Sequence, residues 1–240
     1  MTDRMAIPAR ERLILALDVP DPEAARALVN ELDDQVWFYK IGLQLFMTPG
    51  YFELADWLME RDKRVFADLK LFDVPATVAS AVRQLKGRGI TFVTVHGNDG
   101  MLEAACEARQ DVKILAVTVL TSLDEGDMRD LGFQTDIPSL VASRARRAAA
   151  VGCDGVVASG REASMIRTAV GDRLMIVVPG IRPGANRPPD DQKRTVDVEE
   201  AFENGADYIV IGRPIRNAAS PRAAAGDVQR RIATLFEGHS

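Results

Sequence analysis

Cysteine and histidine are nearly absent, with two of each in 240 residues. Cys106 and Cys153 sit among alanines and other small residues at a spacing that matches no metal motif. That excludes a zinc ribbon or a disulfide scaffold and leaves both as core thiols. His239 lies in the tail and His96 at the end of an apolar run, with no second ligand nearby, so no metal is expected. His96 is expected to pack or hydrogen-bond rather than to catalyse. Long apolar runs are also missing: none reaches membrane-spanning length, and the start, "MTDRMAIPARER", lacks the apolar stretch of a secretory signal. A cytoplasmic protein with no membrane partner is expected.

Basic residues are not in excess. Thirty Lys and Arg against 35 Asp and Glu give a net charge of -5, which argues against a nucleic-acid surface but leaves room for one focused cationic pocket for a phosphorylated metabolite. The basic run "RARRAAA" (144–150) reads as the solvated face of a helix. No composition break, Pro/Ser linker or low-complexity tract divides residues 1–240, so one domain is expected.

Short runs rich in Val, Ile and Leu recur at fairly even intervals. They are "LILALDV" (13–19), "WFYKIGL" (37–43), "RVFADLKL" (64–71), "FVTVHG" (92–97), "KILAVTVL" (113–120), "GVVAS" (155–159), "MIVVPGI" (175–181) and "YIVIGRPI" (208–215). Between them lie amphipathic stretches such as "DPEAARALVNELDD" and "IPSLVASRARRAAAVG", with apolar residues at intervals of three and four. Apolar strands alternating with surface helices indicate parallel pairing buried on both faces. Eight such units in this length predict an α/β, single-domain (β/α)8 TIM barrel. "ALDVPDP" after the first strand lacks the glycines of a doubly wound nucleotide-binding fold.

In such a barrel the chemistry belongs at the carboxyl ends of the strands. Asp18 closes the first, Lys40 lies late in the second, Asp68 and Lys70 in the third; His96 ends the fourth, Thr121 and Ser122 follow the fifth, and Arg213 ends the eighth. Side chains at i and i+2 of a strand share a face, so Asp68 and Lys70 should be neighbours. Outward beneath the helices, both charges would be desolvated at a cost of several kcal/mol per ion. The barrel mouth is the better place, where a lysine flanked by carboxylates is favoured in its charged form. A structural ion pair closing the barrel layer is the competing explanation, but four charges from three consecutive strands, with Asp73 just beyond, suit a reaction centre better.

At these residues "DLKLFDVPAT" (68–77) resembles the D-x-K-x-x-D-[IV]-P-x-T signature of the orotidine 5′-phosphate decarboxylase family. "LALDV", "YKIGLQLF", "VTVHG", "VTVLTSL", "VPGIRP", "DDQKR" and "YIVIGRP" are similar to that family's strand ends in the same order, so the resemblance covers a core of about residues 12–236. Phe72 stands where histidine is common in the family and Ala76 where asparagine is common.

The resemblance implies decarboxylation of orotidine 5′-phosphate to uridine 5′-phosphate, the last step of de novo UMP synthesis, with no cofactor and no metal. It makes Lys70 the proton donor and Asp68 the residue that holds it beside the substrate carboxylate. Asp73 and Thr77 would be contributed to the neighbouring subunit's site, which implies a homodimer. Asp18 and Lys40 would contact the ribose, Thr121 the pyrimidine, and Arg182, Gln192, Gly212 and Arg213 the phosphate, with the long loop 182–195 closing as a lid. Each also has a plainer explanation: Asp18 and Lys40 as an interstrand salt bridge, Thr77 as part of a helix start after Pro75, Thr121 as a turn former. Two other functions remain open: a magnesium-dependent sugar-phosphate enzyme of the same barrel group, and a silent barrel that binds a nucleotide phosphate.

Overall fold

The structure, a computed structural model, describes residues 6–96, 98–184 and 194–237. Its eight strands are β1 (Leu13–Ala16), β2 (Phe38–Gly42), β3 (Arg64–Leu71), β4 (Phe92–His96), β5 (Lys113–Val117), β6 (Gly155–Val157), β7 (Met175–Val178) and β8 (Tyr208–Ile211). They pair in parallel in chain order, and β1 pairs with β8 to close the barrel. Each expected strand is present. Most stop two to four residues short of the apolar run that announced them, because the last residues leave the ladder to form the mouth.

Eleven helices surround the barrel among the described residues: α1 (Pro22–Leu32), α2 (Leu43–Phe46), α3 (Tyr51–Met59), α4 (Pro75–Arg83), α5 (Asp99–Ala108), α6 (Glu125–Asp130), α7 (Ile137–Ala150), α8 (Ala163–Val170), α9 (Val198–Glu203), α10 (Arg213–Arg216) and α11 (Pro221–Glu237). Their starts are written locally. Asp21 accepts from the Ala24 N–H at 2.8 Å with Pro22 opening α1, Asp136 caps α7 through the Ser139 N–H at 2.7 Å, and Asp197 and Glu200 form a capping box on α9. α1 then buries Ala25, Leu28, Val29 and Leu32 as one stripe.

Strand alternation divides the core into two layers. Leu13, Leu15, Tyr39, Ile41, Val65 and Ala67 point out beneath the helices, whereas Ile14, Phe38, Phe66, Phe92, Leu115, Met175 and Tyr208 fill the barrel. Phe92 is the centre of that plug, with ring centroids 5.1 Å from Phe38, 5.8 Å from Phe66 and 5.3 Å from Tyr208. These aromatic contacts seal the interior, and on β2, β3 and β4 the next inward positions toward the carboxyl ends carry Lys40, Asp68 and Thr94.

One irregularity matters. β3 advances from Ala67 to Leu71 while β4 advances only from Val93 to Val95, so β3 carries a bulge at residues 68–70. Lys70 sits in it with φ of 49°, a left-handed conformation that costs a lysine about 1–3 kcal/mol. Asp68 and Lys70 do meet, but simple alternation is only half of the reason.

Candidate active site

Asp68 is buried at the barrel mouth and shared between two ammonium groups. Lys70 Nζ donates to its Oδ1 at 2.8 Å, and Lys40 Nζ lies 3.2 Å from its Oδ2. Lys40 also reaches Asp18 Oδ1 at 3.2 Å, so the order across three strands is Asp18, Lys40, Asp68, Lys70. Gly42 leaves the room this needs: a Cβ there would sit 3.3 Å from Lys40 Nζ. The Thr94 hydroxyl on β4 donates to Asp68 Oδ1 at 2.9 Å and accepts the Lys70 backbone N–H at 2.9 Å. Thr94 therefore holds the bulge by its backbone and the carboxylate by its side chain.

Burial alone would raise the Asp68 pKa. The charges of Lys40 and Lys70 and the hydrogen bonds from Lys70 and Thr94 outweigh it and hold the carboxyl at about 2. Burial would likewise neutralise Lys40, but Asp68 and Asp18 raise its pKa and keep it charged.

The alternating charges border a cavity of about 510 Å³. Its floor is apolar, formed by Ala16, Phe66, Val117, Val157 and Val210. Thr121 and Ser122 stand on one side, and Arg182, Gly212 and Arg213 on the other. Eight of the expected site residues thus converge. Arg213 opens α10 rather than ending β8, with Gly212 as the preceding cap.

Two other expected residues do not line this cavity. Asp73 and Thr77 are exposed, with Asp73 Oδ1 accepting the Val74 N–H at 2.6 Å. Gln192, like the middle of the expected lid, lies outside the described residues. Beside Asp73, Phe72 is 65% exposed and sets its ring edge-on to His96 at 5.7 Å. His96 is half-buried, and burial together with the charges of Arg144 and Lys70 lowers its pKa.

Sequence reasoning missed Thr94, Gly42, Arg216 and Arg194. Arg216 lines the cavity and donates to the Asp18 carbonyl. Thr94 had a readable signal: a hydroxyl in the middle of a strand buried on both faces must find a partner. The basic run of α7 is only partly a solvated face, since Arg144 turns in to the Thr118 carbonyl beside the Phe133 ring. The two thiols touch, Sγ to Sγ at 3.4 Å, with Cys153 buried and Cys106 partly so.

A closed parallel barrel with a charged cavity at the carboxyl ends of its strands is the construction of a barrel enzyme. Residues 11–228 match the orotidine 5′-phosphate decarboxylase / HUMPS family. The chain belongs to that family. It is 60% identical over 230 residues to the orotidine 5′-phosphate decarboxylase of Methylococcus capsulatus, covering 96% of this chain and 95% of that one. It is 51% identical over 230 residues to the enzyme of the same name from Xanthomonas euvesicatoria, covering 95% and 94%. The crystal structure of orotidine 5′-phosphate decarboxylase from Lactobacillus acidophilus superposes with a TM-score of 0.81 at 31% identity, covering 92% of this chain and 99% of that one.

Proposed function

We propose that this enzyme decarboxylates orotidine 5′-phosphate to uridine 5′-phosphate and carbon dioxide, the last step of de novo UMP synthesis, in the cytoplasm and without metal or organic cofactor. The observation that carries the reading is the Asp68 carboxylate held between Lys40 and Lys70 at the edge of a cavity of nucleotide size.

Loss of carbon dioxide leaves an electron pair at C6 of the pyrimidine, with no neighbouring carbonyl to delocalise it. The site must supply electrostatic stabilisation, and a charged amine fixed in place before the reaction does so without reorganisation. Lys70 is that amine and then the donor of the proton that completes the product. Asp68 orients it, and Lys40 keeps Asp68 ionised while joining Asp18 at the ribose. The Thr121 side takes the pyrimidine. Arg182, Gly212, Arg213 and, by resemblance, Gln192 take the phosphate, where a guanidinium can offer paired donors.

The donor set weighs against a divalent cation in this place, since both oxygens of Asp68 are committed to ammonium groups whose charge repels one. Asp73 and Thr77, exposed on one chain, are assigned to the cavity of a second copy in a homodimer. Support comes from the apolar side chains around them: Phe72 is 65%, Val74 61% and Met47 80% exposed, more than a lone chain would favour on neighbouring loops.

The test is incubation of the purified protein with orotidine 5′-phosphate, with and without EDTA, following carbon dioxide release and loss of the orotate absorbance. Turnover that survives the chelator is expected. No turnover would sink the reading, and turnover abolished by EDTA would sink its metal-free part. Mixing inactive Lys70→Ala with inactive Asp73→Asn should restore activity, because each mixed dimer regains one intact site. Absence of recovery on mixing removes the shared site.

A further inference from the structure

Arg194 lies in the stem that leads from the loop after β7 into α9, and it is 8% exposed. One of its terminal nitrogens donates to Glu162 Oε1 at 2.7 Å; the other donates to the carbonyls of Leu120 at 2.9 Å and Val119 at 3.3 Å. Glu162 directly precedes α8, and it is 7% exposed. A single side chain therefore ties together the loops after β5, β6 and β7.

Stability alone is a poor explanation of this arrangement. A buried ion pair gains little net free energy, because desolvation offsets its attraction. This one is incompletely satisfied as well: Arg194 Nε and Glu162 Oε2 find no hydrogen-bond partner among the described residues. What it holds is more telling. The two gripped carbonyls directly precede Thr121 and Ser122, which line the cavity. Two residues beyond Arg194, the Val196 carbonyl accepts the Arg182 N–H at 2.9 Å, and Val196 bridges Ile181. Arg182 lines the cavity from the other side, whereas Arg194 does not line it. Arginine suits the task because its planar fork directs separate donors to separate acceptors, which a lysine does less well.

We propose that Arg194, braced by Glu162, is a positioning residue that couples the Leu120–Ser122 turn on the base side of the cavity to the Arg182 stem on the phosphate side. The assignment of those two sides rests on the function proposed above; the mechanical tie does not.

Two measurements on Arg194→Lys separate these claims. The variant keeps a cation for Glu162 and loses the fork. In the ligand-free protein, amide exchange over residues 118–123 should accelerate by about tenfold or more while β1 to β3 stay protected. Exchange unchanged at 118–123 overturns the tie whatever the enzyme's substrate is. With orotidine 5′-phosphate, kcat/KM should fall by about 10- to 100-fold, the scale of a misplaced contact. In a Thr121→Val background the same substitution should cost less than about threefold, because the turn no longer carries the contact being positioned. Losses that simply multiply are the signature of a general structural role and overturn the coupling. If Arg194→Lys fails to fold, Glu162→Gln, which keeps the shape and an acceptor, enters the same cycle and is read by the same two criteria. Absence of turnover in the unmodified enzyme defeats the functional reading alone, since the exchange result still decides the tie.

Discussion

Carboxylates are buried at both ends of this barrel, and the two ends use them differently. At the amino-terminal rim Asp207, fully buried just before β8, pairs with Arg167 at 2.7 Å and accepts the Ile176 N–H at 2.8 Å. Arg167 is itself locked by the carbonyls of Gly171, Leu174 and Gly205. At the carboxyl-terminal mouth Asp68 has two lysines instead of one arginine, and its neighbours stay open to the cavity: the Lys70 side chain is 32% and that of Asp18 46% exposed. The first arrangement is closed by backbone acceptors that cannot leave. The second is held by amines that face a cavity open to a ligand, at the end of the barrel where function resides. Arginine clamps a carboxylate where strands must be fastened; lysines share one where charge must be offered.

The sharpest way to break this comparison is to delete one charge at each end. On the function proposed above, Lys70→Ala should reduce kcat by about 10⁴-fold or more, roughly 5 kcal/mol of barrier, because a single group would supply both the charge at C6 and the proton. Its melting temperature should stay within a few degrees of the parent, since an amine that is one-third exposed contributes little to the fold. Next in size is Asp207→Ala, which leaves Arg167 with only the half-exposed Asp172 at 3.4 Å as counter-charge and should lower stability by about 3 kcal/mol. The fraction that remains folded should keep its kcat/KM within about threefold. Chemical denaturation and steady-state kinetics on the two variants decide the matter, and a stability loss from Lys70→Ala equal to that from Asp207→Ala erases the distinction drawn here.

Acid titration sharpens it further. The Asp68 carboxyl is held at about 2 in the folded state against an ordinary 3.8. A depressed carboxylate pKa contributes stability that is fully present above the unfolded value and disappears as pH falls through the folded one. The window is therefore about pH 4 to 2, and the linked stability is about 2 kcal/mol. Other carboxylates are lowered as well, Asp197 by the Val198 N–H and Arg231 and Glu199 by Arg231. The useful quantity is thus the difference between the native enzyme and Asp68→Asn, whose acid limb between pH 4 and 2 should be shallower. Parallel limbs would mean that the lysines do not hold Asp68 as described.

Most of this architecture was legible before any coordinates, for physical reasons that also mark where legibility ends. Strands buried on both faces must be continuously apolar, so all eight stood out, and charges at their ends stood out against them. Apolar residues at intervals of three and four marked helices such as those in "DPEAARALVNELDD" and "IPSLVASRARRAAAVG". What was hidden depends on partners far along the chain. The bulge that turns Lys70 toward Asp68 comes from its pairing with β4, and although the buried Thr94 hydroxyl had to find a partner, only the fold shows that it sits between those two residues. Arg194 reads as one more charge in a polar loop, and its acceptor Leu120 is 74 positions away. Gly42 has meaning only beside Lys40. Asp73 was marked by its place just beyond the charged strand end, and the assignment of it and Thr77 to a second subunit came from the resemblance alone; on a single chain they are exposed residues near exposed apolar ones.

The smallest expected effect concerns His96, which stands between the two styles of site: at the mouth, yet packed rather than shared. Burial, Arg144 and Lys70 all disfavour its charged form, so its pKa lies below the ordinary 6.5. The unfolded chain then binds a proton at this position more readily than the folded one, and stability falls as pH is lowered through about 6.5. The groups facing the ring are Phe72 from its own side of the mouth, Lys70 from β3 and Arg144 from α7. Arg144→Met removes one positive charge without touching the cavity, so the His96 imidazole followed by NMR should titrate at higher pH in that variant while turnover changes little. A proton-transfer role for His96 predicts the opposite pairing, in which the pH profile of kcat moves together with the imidazole.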